Sequence, residues 1–280
     1  MNISVREWTK SGSPWVWLNA GAVAISIIMV VGLLSLIAVR GLSHFWPANL
    51  MQAQYALNET PQRLIGEVVE SNKVLSSQLR EAGIALSGDE EFRIRNLIKV
   101  GNRDVLGADF AWALDYHLSD KQYPSMLFTA ERREWGNLYG YLRSIKENGN
   151  PVAEYNGYDK TPEYEALWAE LEQRIDRTLA IHDQIYQIEK HKIGAINYEL
   201  ERLRLKERAL QLDAITDAAQ YQRIEDRRSA LQADYEVLQT DLLELYTAFN
   251  RDSLTAEVSS GETIEVSLAK VVRAFRPNDM

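Results

Sequence analysis

The sequence predicts an α+β fold in three parts: one N-terminal transmembrane helix, a small β-rich extracytoplasmic domain, and an inserted antiparallel coiled-coil helical hairpin. Three observations carry this. A 25-residue uncharged apolar run lies near the start. Period-two patterning fills residues 56 to 150. Apolar residues then recur at three–four spacing to about residue 250, after which the period returns to two. The expected boundaries are a cytoplasmic tail over 1–14, a span over 15–39, a juxtamembrane linker over 40–55, a β-rich periplasmic domain over 56–160, the hairpin over 161–250, and returning strands over 251–280.

The span, Trp15 to Val39, reads WVWLNAGAVAISIIMVVGLLSLIAV. As a helix it reaches roughly 37 Å, enough for a hydrocarbon core of about 30 Å with some tilt. Asn19, Ser26 and Ser35 are tolerated because a helix satisfies its own backbone. Trp15 and Trp17 at one end, and Phe45 and Trp46 beyond the other, have the character of interfacial anchors. A cleaved signal peptide fits poorly: its apolar core is about 7–15 residues long, and no A-x-A-like site follows here. Arg6 and Lys10 precede the span, and no Lys or Arg follows Arg40 until Arg63, so the positive-inside rule places the N-terminus in the cytoplasm and residues 41 to 280 in the periplasm of a bacterial inner membrane.

The chain has 280 residues, 31 Lys+Arg, 40 Asp+Glu, a net charge of −9 and no cysteine. The missing cysteine excludes disulfides, thiolate nucleophiles, iron–sulfur clusters and Cys-type zinc sites. Residues 1 to 40 carry +2 (Arg6, Lys10 and Arg40 against Glu7), which leaves −11 on the remainder. A nucleic-acid partner is not expected of so acidic a body, because neutralising phosphates needs clustered Lys and Arg.

In the β-rich region, Leu64 to Val69 is a strand candidate, and Ser71 to Gly83 reads as a short connecting helix. Ile94, Ile98 and Val100 alternate with Arg93, Arg95 and Lys99, which predicts a strand with one buried face. Gly101-Asn102 supplies a turn, and Phe110, Trp112 and Leu114 alternate beyond it. Leu138 to Leu142 is a further strand, with Tyr139 and Tyr141 on its opposite face. Gly149-Asn150-Pro151 and Asn156-Gly157 close the region with turn chemistry.

Thr161-Pro162-Glu163 announces a helix, with Thr as N-cap, Pro at the first helical position and Glu near the positive end of the dipole. Apolar positions run from Leu167 to Leu210, and the step from Ile188 to Ile193 breaks heptad spacing there. Tyr221, Ile224, Arg228, Leu231, Tyr235, Leu238, Leu242, Leu245 and Phe249 then follow an a/d pattern in which Arg228 alone is charged. Folding the chain near Asp213–Thr216 aligns Leu210 with Tyr221, Leu203 with Arg228, Ile196 with Tyr235 and Ile193 with Leu238. One long dimerising helix is the alternative. Ser260-Gly261 then joins two short strands into a hairpin that most simply rejoins the preceding sheet.

Neither GxxxxGK[ST] nor GxGxxG is present, so no nucleotide site is visible. His44 lies beside interfacial aromatics, His117 falls in the β-rich region, and His182 and His191 are nine residues apart, which is not a one-face metal pair. Arg132-Arg133 and Arg227-Arg228 have the charge to meet an anion, but surface ion pairing is the simpler reading. No enzyme, catalytic residue, cofactor or metal is expected.

Several phrases resemble a known family. SGSPWVWLNAGAVAISIIMVVGLLSLIAVRGLSHFWP (Ser11 to Pro47) is similar to the start of an extended PstA-type permease subunit of bacterial phosphate ABC transporters. GEVVES (Gly66 to Ser71), GNRDVLGADFAWAL (Gly101 to Leu114), RREWGNLYGYL (Arg132 to Leu142) and VVRAFRPNDM (Val271 to Met280) resemble its extra N-terminal region. In that family a multi-helix permease core follows. The resemblance therefore implies a membrane anchor and periplasmic accessory domain of a phosphate importer, expected to be the N-terminal portion of such a permease and not its pore. Implied partners are the membrane, the second permease subunit, the ATPase subunits and the periplasmic phosphate-binding protein. No phosphate-contacting residue can be carried over. The alternative is a periplasmic adaptor of the membrane-fusion-protein type, which should show paired β halves flanking the hairpin. The turn-rich stretch between Asn148 and Thr161 shows no matching half. A bitopic envelope scaffold or signalling partner is a third reading.

Overall fold

The computed structural model describes Trp8 and residues 11–43, 46–56 and 61–279. It divides into two units, 1–48 and 49–280. The first holds helix α1 (Ser13–Ser43), which exceeds the expected 15–39 at both ends. Over Ser13–Leu42 it is long and apolar enough to cross a membrane, and none of its most apolar window is buried. His44 and Phe45 lie outside the described residues.

The second unit is an α+β body of antiparallel sheets. It begins inside the expected linker, because Leu50–Tyr55 forms strand β1, paired with β2 (Gln62–Leu75). Leu50, Met51 and Ala53 are buried, so residues 50–55 are core rather than linker. Strand β2 also takes the first half of the expected connecting helix, leaving only α2 (Ser76–Glu81). Next come β3 (Phe92–Lys99), α3 (Arg103–Leu106), β4 (Phe110–Leu114), a 3-10 turn (Asp115–His117) and β5 (Leu118–Gln122).

The order of this sheet is β4-β3-β2-β1-β5. Laid flat, β4 and β5 would stand about 19 Å apart at ~4.8 Å per strand, whereas Leu114 to Leu118 reaches at most about 14 Å. The sheet must therefore curl to bring its edge strands toward each other, and its inner face buries Met51, Ala53, Ile98, Val100, Ala113 and Leu118.

The second sheet repeats this path. Strands β6 (Leu127–Arg132), β7 (Leu138–Glu147), β9 (Asp252–Glu257), β10 (Thr263–Ser267) and β11 (Val271–Phe275) take the order β10-β9-β7-β6-β11, with β8 (Asn150–Glu154) added on β7. A 3-10 turn, Leu268–Lys270, again links the two edge strands. Details recur as well. Register shifts fall between Gln52 and Gln54 in the first sheet and between Val271 and Arg273 in the second. A side chain at Gly66 would strike the Lys99 carbonyl, and one at Gly140 the matching carbonyl of Glu257. The strands of the body thus follow one topology twice, each time as a curled, open, half-barrel sheet, called a barrel below.

Between β8 and β9 the chain runs through α4 (Pro162–Tyr186), a π-helical turn (Gln187–Lys192), α5 (Ile193–Leu212) and α6 (Ala218–Phe249). The β9–β10 hairpin rejoins the earlier sheet through β7, as the returning period of two suggested. The strands before and after the helices thus build one sheet. That pairing spans more than 100 residues. Helix α4 packs Tyr164, Leu167, Trp168, Leu171 and Ile175 into the same core as Phe128, Tyr139, Tyr141 and Leu142.

The expected buried faces of β4 and of Ile94 on β3 are corrected, while β7 has two buried faces. Phe110 and Trp112 are 49% and 44% exposed, while Ala111 and Ala113 face the barrel interior, where only small side chains fit beside Ile98. Trp112 instead lies under the Arg95 guanidinium, 4.1 Å from its ring centroid. Ile94, near the end of β3, is likewise exposed. Tyr139 and Tyr141 are buried like Leu138 and Leu142, because both faces of β7 are covered.

Candidate interaction arm and its root

The most distinctive feature of the body is the helical arm. Thr161 caps α4 by accepting the Tyr164 N–H (3.3 Å), with Pro162 at the first helical position. The π-helical turn sits where the seam skips from Ile188 to Ile193. One extra residue in a turn resets the phase, so Ile188 and Ile196 are both buried. Helix α5 stops at Leu212; the Ile215 N–H returns to the Leu210 carbonyl (3.0 Å) and Ala214 takes a left-handed conformation (φ 51°). Asp217 then caps α6 through the Ala219 N–H (3.0 Å).

Helices α5 and α6 fold back on each other. Ile196, Leu203, Leu210, Ile224 and Leu231 form their buried seam, flanked by Leu200, Tyr221, Tyr235 and Leu238. Arg228, the charged seam position, donates to Glu207 across the pair (2.5 Å) and to Glu225 on its own helix (2.9 Å). Tyr246 donates to Glu189 (2.7 Å) at the opposite end of the arm.

The root of the arm is an ionic cluster. Asp252, 1% exposed at the start of β9, accepts from Arg174 Nη1 (2.7 Å), Arg177 Nη1 (2.9 Å) and Arg251 Nε (2.9 Å). Arg174 also donates to Glu147 on β7 (2.8 Å) and Glu170 on α4 (2.7 Å). Burial works to raise the Asp252 pKa, but the three guanidinium groups prevail and hold it below the ordinary value of 3.8. Two strands and one helix are clamped at one carboxylate.

A second cluster joins the barrels. Glu257 accepts from Arg63 on β2 (2.6 Å), from Arg143 Nε on β7 (2.8 Å) and from the Tyr158 hydroxyl (2.9 Å). Burial again pushes this carboxyl up, and the Arg63, Arg143 and Tyr158 hydrogen bonds outweigh it, so its pKa lies below 4.5. Asn102, buried and left-handed (φ 53°), bridges the barrels in backbone fashion: its Oδ1 accepts the Tyr139 N–H (3.0 Å) and its Nδ2 donates to the Tyr139 carbonyl (2.9 Å). Asn278 does the same for the start and end of the second unit, accepting the Leu50 N–H (2.8 Å) and donating to the carbonyls of Leu50 (2.8 Å) and Pro124 (2.9 Å). Each of the two carboxylates, Asp252 and Glu257, is thus committed to arginine cations.

The residues considered from sequence fall elsewhere. Arg132 makes a bidentate pair with Asp104 (2.7 and 2.9 Å), and Arg227 lies 3.7 Å from Glu199. Arg133 is held by its backbone N–H to the Lys270 carbonyl. His117 Nδ1 lies 2.6 Å from the Ala56 carbonyl, His182 stacks near Phe249 and His191 meets the Tyr186 ring edge-on. The root residues Arg174 and Asp252 escaped sequence reasoning. The available signal was an arginine on the apolar stripe between Leu171 and Ile175. No family model, curated protein or solved structure matches the chain.

Proposed function

We propose that this chain is a membrane-anchored accessory module of a bacterial phosphate importer, with its body in the periplasm and its coiled-coil arm serving as a docking element for other transporter subunits. The observation that carries the reading is the clamped root. An arm tied to both β7 and β9 through Asp252 and Glu147 is a rigid lever, suited to holding or sensing a partner rather than enclosing a small anion. Support for the setting comes from the candidate span Ser13–Leu42 and from the family-like phrases quoted above. Net −11 on residues 41–280 also repels free phosphate within about a Debye length, which disfavours capture.

One observation favours a second reading, the periplasmic adaptor: the helices are inserted between two halves of one β sheet. Deleting Thr161 to Asn250 in the membrane-embedded protein, co-expressed with the transporter subunits, separates the two. An accessory module leaves residual phosphate uptake and loses co-purification of those subunits. Unchanged co-purification, or tight phosphate binding by the chain alone in calorimetry, overturns the importer reading.

A further inference from the structure

Helix α5 carries a second seam. Ala195, Tyr198, Arg202, Leu205, Ala209 and Leu212 recur at spacings of three and four on a face about 130° around the helix from Ile196, Leu203 and Leu210. That face is open: Tyr198, Leu205 and Leu212 are 72%, 56% and 72% exposed. A solvated helix back needs no heptad of large apolar residues, and three of them in line mark a contact surface.

We propose that this face pairs with the same face of a second copy of the chain, the two α5 helices running antiparallel about a two-fold axis between Leu203 and Arg204. The argument is complementarity. In that register Ala195 opposes Leu212 of the second copy, Tyr198 opposes Ala209 and Arg202 opposes Leu205, so each large side chain meets a small one or the stem of an arginine. Flanking charges match as well: Glu199 faces Lys206 and Glu201 faces Arg208, and the symmetry repeats each pair. A parallel pairing would set Arg202 against Arg202, and large residues against large beside gaps between alanines. The corresponding outer stripe of α6 (Ala230, Ala233, Val237) is flanked by Asp234, Glu236 and Asp241, so two such faces repel. Within one chain Glu201 is held by Arg204 (2.8 Å), an exposed pair that exchanges at little cost, while Glu199 is half-buried between Arg202 (3.6 Å) and Arg227 of α6 (3.7 Å) and would meet Lys206 without leaving them.

The six layers cover about 26 Å, short for an independent coiled coil, so a reversible, concentration-dependent dimer is expected. The proposal stands apart from the importer reading, since it uses only the α5 face. The test uses the full chain in detergent or nanodiscs. Sedimentation should show a monomer–dimer equilibrium that Leu205→Glu weakens at least tenfold with helix content unchanged. Glu201→Lys should weaken it too, and adding Arg208→Glu should restore it. Because the chain lacks cysteine, Ala195→Cys combined with Leu212→Cys should give an oxidised dimer that Ala195→Cys alone does not. A chain that stays monomeric, a charge reversal without effect, or efficient crosslinking of Ala195→Cys alone would overturn the proposal.

Discussion

Asp252 is the residue on which the arm depends. It is nearly inaccessible, and its three arginine partners come from α4 and from its own chain neighbour. Asp252→Asn removes the charge but keeps the shape, leaving part-buried guanidinium groups short of a counter-ion. A loss of about 2–3 kcal/mol is expected at neutral pH, at the low end for a broken buried pair because Arg174 keeps Glu147 and Glu170. Denaturant unfolding measures it. The pH dependence has a definite sign. The folded pKa lies below the unfolded 3.8, so the stabilisation is complete above the unfolded value and is lost as pH falls through the folded one. The wild-type acid limb, below about pH 4, should therefore be steeper than that of Asp252→Asn; equal slopes would assign the acid sensitivity elsewhere.

At the level of elements, the helices were legible because their information is local. The a/d pattern, the Thr161 cap, the break after Ile188 and the turn after Leu212 all rest on residues within one or two turns of each other. The break turns out to be a π-helical turn, the backbone's way of accommodating one surplus residue without losing the seam. The seam makes a direct prediction. Leu231→Ala, at a 4% exposed position, should cost about 2–4 kcal/mol. Hydrogen exchange should show the loss in α5 and α6 and leave protection of β7 and β9 unchanged, because the root lies on a separate core. Uniform loss across the body would mean that arm and barrels unfold as one unit. Strand faces were less legible. Period two says that Phe110, Trp112 and Leu114 share a face, but not that the barrel interior takes the alanines between them.

For the whole molecule, the outstanding prediction is orientation. It rests on Arg6 and Lys10 before the apolar run and on the charge-poor stretch after Arg40. The absence of native cysteine makes the measurement clean. In intact cells an impermeant thiol reagent should label Ser260→Cys, which lies in an exposed turn, and should miss Ser4→Cys. The opposite pattern would place the body in the cytoplasm and remove the periplasmic importer reading with it.

By itself the sequence determined an apolar run long enough to span a membrane, the helices of the arm, their fold-back and the turn chemistry between strands. All are encoded in periodicity and in neighbouring residues. Only the tertiary structure decided that the β segments form two barrels of one topology, that residues 50–55 belong to the core, and that Gly66 and Gly140 occupy matching positions. The reason is physical. Pairing β7 with β9 bridges the entire helical insertion, and the curl of each sheet follows from short links between edge strands that sequence reading cannot yet know are edges. The ionic clusters at Asp252 and Glu257 belong to the same class. Each gathers charges distant in sequence, and in isolation each member reads as an ordinary surface residue.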